Sequence, residues 1–141
     1  IRFAADTARF GTAFTKRGLV PEYGLSWLLP RLIAPSKAFD LLYSARLVDA
    51  DEALAMGLVD RVYPTNELHA AVMDYAREMA KGVSPRSTRV VKELVYQGLD
   101  QGFEAAMARS LEEMSEAAKS DDFREGIAAW KDKRAPDFTG T

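Results

Sequence analysis

The sequence holds no cysteine and a single histidine, His69, among its 141 residues. The first absence excludes a disulfide framework and thiolate metal ligation, and the second excludes a His-cluster metal site or a His-based triad within the chain. No apolar run approaches the roughly 20 residues that a membrane-crossing helix needs. There is no basic excess either. Nineteen Lys and Arg stand against 21 Asp and Glu, a formal net charge of −2, so nothing in the charge supports binding to nucleic acid or to a membrane surface. The lack of cysteine fits a reducing cytoplasm, the expected location. A leading Met is also missing. The chain opens at Ile1-Arg2-Phe3-Ala4-Ala5, already in strand-like alternation, which reads as the interior of a domain with an N-terminal portion expected upstream.

What is present is an ordinary globular composition, 48% hydrophobic and 28% charged, enough for one core or for part of a larger one. Residues 1–65 read as mixed α/β with short elements. Ile1 to Ala5 is a short apolar run before the turn-prone Asp6-Thr7. Ala8 to Gly11 reads as extended, and Phe14 to Leu19 as one helical turn closed at Gly18. Pro21 biases Val20 away from helix, which puts Glu22 on a loop or at a helix start. Leu25 to Leu32 is an apolar helix, and Ser36 is the expected cap of the next, with apolar residues at 38, 39, 41, 42 and 45. Asp49 and Glu52 have capping-box spacing, with Gly57 as terminator. Leu58 to Tyr63 alternates like a strand. Residues 66–141 read as helices: 67–81 capped by Thr65 or Asn66, 86–96 opened by Ser84-Pro85, 103–119, and 123–133 capped by Asp122 with Glu125 three residues later. Glu112, Glu113 and Glu116 are expected on a solvated face. The apolar stripes of this second half call for docking on a core or on other subunits.

Four stretches, "IRFAADTARFGTAF", "RGLVPEYGLSWLLPRL", "LLYSARLVDADEALAMGLVDRVYP" and "DDFREGIAAWKDKRAPDF", together resemble the crotonase superfamily, the enoyl-CoA hydratase/isomerase family, in its order and spacing. The resemblance spans the chain and corresponds to the C-terminal half of a family member. It implies an α/β fold, the last part of a ββα spiral core (1–65) followed by a helical trimerisation and CoA-binding region (66–141). It also implies an acyl-CoA thioester substrate, a homotrimer or hexamer, and no cofactor beyond the coenzyme A of the substrate itself. In such chemistry two backbone N–H groups stabilise a thioester enolate while carboxylates move protons. The family's glycine-rich segment and both oxyanion donors are expected before Ile1.

The resemblance also assigns candidate residues. The second glutamate of typical hydratases stands three positions after the glycine of Phe10-Gly11. That position here is Phe14, which cannot polarise water. Glu22 instead matches the carboxylate position of isomerase-type members, where one carboxylate takes a proton from one carbon and returns it to another. Isomerisation of an enoyl-CoA double bond is therefore placed ahead of 2-enoyl-CoA hydration, with a non-catalytic acyl-CoA-binding or oligomerisation module as a further alternative. The other reading of Glu22 is a helix cap. Phe14, Tyr23 and Trp27 are candidates for the acyl pocket, with simple packing as the alternative. Trp130 and Lys133 match residues flanking the adenine and 3′-phosphate of CoA, and Met114 matches another pocket position. Three residues apart, Trp130 and Lys133 are expected on one helix face, with dipole-favoured charge and packing as the alternative.

Overall fold

Strand β1 (Phe3–Ala5) pairs in parallel with β4 (Arg61–Tyr63), Phe3 opposite Arg61 and Ala5 opposite Tyr63. A second two-stranded sheet pairs β2 (Arg9–Phe10) antiparallel with β3 (Val48–Asp49). Between these strands the chain forms helices α1 (Leu25–Leu32), α2 (Pro35–Ser44) and α3 (Ala50–Ala55). The apolar periodicities of these segments converge on one core of Ala4, Leu29, Ile33, Leu41, Val48 and Val59 with their neighbours. Gly11 lies close to the segment before β3: a Cβ there would meet the exposed Leu47 side chain at 2.8 Å, which can move aside, and the Arg46 carbonyl at 3.2 Å, which would have to give slightly.

The computed structural model describes residues 1–141 and divides into two units, Ile1–Met73 and Asp74–Thr141. The division falls inside α4 (Leu68–Gly82), eight residues beyond the change of character read at 65/66. The second unit contains α5 (Pro85–Gly98), α6 (Phe103–Ala117), α7 (Asp121–Asp132) and a C-terminal strap, with α5 and α6 packed against each other. Its core is thin: Val90 and Ala129 are its buried apolar residues.

Several caps differ from expectation. Ser36 does not cap α2; Ala34 holds that position and Pro35 fills the first helical turn, because proline's fixed φ suits it to N1. Thr65 does not cap α4. Its hydroxyl and N–H both donate to Asp6, tying the loop after β4 to the end of β1. Asp49 caps α3 by accepting the Glu52 N–H, but the Glu52 carboxylate does not return to Asp49. It binds Arg46, which also holds Asp40. Asp122 does not cap α7 either. Ser120 does so, accepting the Phe123 N–H, and the helix starts at Asp121. Asp122 is 3% exposed. It accepts the Ser84 hydroxyl and the Thr139 and Gly140 N–H groups, so it joins the N-cap of α5 to the strap. Glu113 leaves its expected solvated face to lie between Arg86 and Arg109, half-buried.

Candidate functional site

Glu22 follows Pro21 in a tight reversal. Tyr23 (φ 54°) and Gly24 (φ 72°) are both left-handed, and α1 begins at the next residue. The backbone carbonyl of Glu22 accepts the Leu25 N–H, but its side chain caps nothing: Gly24 is the N-cap of α1, without a side-chain bond. The carboxylate is exposed and no hydrogen bond or ion pair engages it. The surroundings expected from the apolar run are also different. Val20, Tyr23 and Trp27 lie on the surface of this chain, Tyr23 at 93% exposure, because the left-handed pair turns the loop outward before α1 returns to the core at Leu29. Trp27 carries the Arg31 guanidinium 3.7 Å from its ring centroid. Phe14 is half-buried at the start of a single 3₁₀ turn, Thr15–Arg17, its carbonyl accepting the Arg17 and Leu19 N–H groups.

In the second unit, Trp130 and Lys133 line one open depression of about 600 Å³ with Ala129, Lys131 and Arg134. They do not share a helix face as expected. α7 ends at Asp132, and Lys133 sits just beyond it with φ 52° and ψ 40°. The Arg134 N–H reaches back to the Ala129 carbonyl and the Lys133 N–H to that of Trp130. This is the Schellman closure, in which the left-handed position is most often glycine. For a residue with a Cβ that conformation costs roughly 1–2 kcal/mol, so the lysine is held there by its surroundings. Met114 lies apart from this pair, on α6, lining a smaller depression with Val90 and Leu94 of α5.

Glu125, expected as the capping-box partner of Asp122 at the start of α7, is engaged beyond the end of that helix instead. Its carboxylate accepts both terminal nitrogens of Arg134, at 2.5 and 2.8 Å, and the Asp137 N–H at 2.7 Å. The Arg134 guanidinium and that N–H hold the Glu125 carboxyl at about 2, far below its ordinary 4.5. Arg134 also lies 3.7 Å from Asp132, so its charge is engaged within the turn. Lys131 and Lys133 remain as the unpaired cations of the depression. No periodicity announces such a clamp, since its partners are nine and twelve residues apart. The one available signal was a lysine, rather than a glycine, closing a helix shortly before Pro136.

The model of the family described as "Enoyl-CoA hydratase/isomerase" matches residues 1–141. The chain is 35% identical over 97% of its length to a Rhodobacter capsulatus protein named "Probable enoyl-CoA hydratase", covering 53% of that protein. It is 33% identical over 99% of its length to mitochondrial methylglutaconyl-CoA hydratase of Mus musculus, covering 46%. The crystal structure of enoyl-CoA hydratase from Bacillus anthracis superposes with a TM-score of 0.94 at 30% identity, over all of this chain and 54% of that one. The chain thus spans about half the length of the curated relatives it matches, and its mostly helical fold with small sheets is that of the corresponding part of these structures. On a match that runs from its first residue to its last, the chain belongs to the enoyl-CoA hydratase/isomerase family.

Proposed function

We propose that a protein carrying this chain acts on enoyl-CoA thioesters by proton transfer through a stabilised thioester enolate, with Glu22 as the shuttling carboxylate. The observation that carries this reading is the unengaged side chain of Glu22 beside a left-handed turn: the structure uses it neither as a cap nor as an ion-pair partner, so a local structural role does not account for it. In a 3-enoyl-CoA, the carboxylate removes a proton from the carbon next to the thioester carbonyl. The electron pair moves onto the thioester oxygen as an enolate. Collapse of that enolate shifts the double bond by one position, and the same proton is returned to the far carbon. Fixed dipoles at the developing oxyanion supply most of the stabilisation. The chemistry calls for no metal or redox group, and coenzyme A enters as part of the substrate. Trp130, Lys133 and Lys131 form the nucleotide end, a ring beside adenine and cations beside phosphate. Phe14, Tyr23 and Trp27 are the candidates for the acyl side.

Isomerisation stands ahead of hydration because Phe14 fills the position of a second water-activating glutamate. Hydration is the second reading, favoured by the names of the relatives. Glu22→Gln in the full-length enzyme is expected to lower kcat by about 10²–10⁴-fold, the worth of a positioned acid or base, with substrate binding little changed. Activity surviving nearly intact would remove Glu22 from the chemistry. Parallel assays of 3-enoyl-CoA isomerisation and 2-enoyl-CoA hydration decide between the two reactions, and efficient hydration with Phe14 in place would put hydration first.

A further inference from the structure

The depression that holds Trp130 and Lys133 is built on a turn, and the Glu125 carboxylate fastens that turn at two points. Three features meet there. Lys133 occupies a left-handed position normally given to glycine. Such conformations persist only where the surrounding contacts over-determine them. Those contacts are the two backbone bonds of the helix closure and the Glu125 carboxylate, which grips the Arg134 guanidinium on one side and the Asp137 N–H on the other. The residues immediately after Lys133 cannot swing without breaking this grip. The clamp also keeps Arg134 occupied, which leaves the phosphate-facing charge to Lys133 and Lys131.

We propose that Glu125 is a positioning residue for the nucleotide end of the substrate: by fastening the turn from Arg134 to Asp137, it holds Lys133 in the conformation that lines the Trp130 depression. This rests on the reading of Trp130 and Lys133 as the nucleotide site, and it adds a residue that touches no part of the substrate. The sign of the effect separates it from simple electrostatics. Removing Glu125 deletes a negative charge and leaves Arg134 only its longer ion pair with Asp132. If charge alone governed binding, the affinity for a phosphorylated nucleotide would rise. If Glu125 positions Lys133, the affinity falls.

The test uses the full-length enzyme with Glu125→Ala, Glu125→Asp and Lys133→Ala. Each is assayed on a CoA thioester and on the matching pantetheine thioester, which lacks the nucleotide, and each is titrated with adenosine 3′,5′-bisphosphate. Glu125→Ala is expected to raise KM for the CoA thioester several-fold with kcat kept. It should weaken the bisphosphate in parallel and leave the pantetheine thioester unaffected; Glu125→Asp, which retains a carboxylate, should recover part of the loss. A KM that is unchanged or lower in Glu125→Ala, while Lys133→Ala raises it, would overturn the inference and leave the nucleotide site standing. Equal impairment on both thioesters would overturn it in favour of a purely structural role. If Lys133→Ala itself fails to distinguish the two thioesters, the nucleotide site falls and the inference falls with it.

Discussion

At the scale of single residues, Lys133 is where side chain and backbone want different things. Its left-handed φ of 52° suits glycine, which populates that region about as readily as any other. Its ammonium is the reason to keep a lysine. Lys133→Gly should therefore separate the two. Thermal melts are expected to show stability kept or raised, by up to roughly 1 kcal/mol after glycine's greater unfolded-state freedom is set against the strain it relieves. KM for CoA thioesters should rise in the same protein. A variant that loses stability would mean that the lysine stem contributes more by packing than its conformation costs. Trp130 and Lys133 were visible in the sequence as a pair, whereas the reason they face the same space was not. Spacing suggested a shared helix face, and the actual cause is a helix that ends between them.

Among the elements, most boundaries could be read from periodicity and from proline, while side-chain partners could not. Leu25–Leu32 is the helix expected, and Pro85 opens α5 as its fixed φ requires. Asp49 and Ser84 both cap as their positions suggest. Asp122 and Glu52 have the spacing of capping residues, yet each is taken by a partner outside its own helix: Ser84 and the strap for one, Arg46 for the other. A local motif is overridden when a longer-range charge or donor offers a better bond, and a single sequence does not show that competition. The caps Asp49 and Ser84 should differ in cost. Asp49→Ala loses one capping bond, about 1 kcal/mol. Ser84→Ala removes both the cap and a donor to a buried carboxylate, so about 2 kcal/mol is expected, the upper end for a cap. Chemical denaturation of the two variants provides the comparison, and equal losses would show that the Ser84–Asp122 bond contributes nothing beyond the cap.

Across the whole molecule, carboxylates fasten separate segments: Asp60 to Arg2, Asp40 and Glu52 to Arg46, Asp122 and Glu125 to the strap. All are held below their ordinary values by the groups that bond them. Asp60, bonded by the Arg2 side chain and backbone, and Glu125, bonded by Arg134, both lie at about 2. Their folded values are below their unfolded ones, so their contribution is complete above about pH 4.5 and is lost as pH falls toward 2. Thermal melts should be flat in this respect from pH 7 to about 5, then fall steeply. The double variant Asp60→Asn, Glu125→Gln should flatten the fall; an unchanged acid limb would assign it to other groups. Assembly belongs to the same scale. Phe103, Met107, Leu111 and Met114 form an exposed stripe on α6, too apolar a surface for one helix to leave in water. The full-length protein is expected to be a trimer or hexamer, and light scattering that showed a stable monomer at micromolar concentration would refute that.

The parallel pairing of β1 with β4 has a consequence for the order in which the chain acquires structure. Arg2 and Asp60, which lock that pair, stand 58 positions apart, and parallel strands gain nothing until the intervening loop has closed. On the ribosome, at about 5–20 residues per second, β4 follows β1 by on the order of several seconds. Throughout that delay the edge of β1 that β4 will cover is still open. Its hazard is therefore kinetic: an open strand waiting for a late complement, protected by whatever segment or chaperone reaches it first.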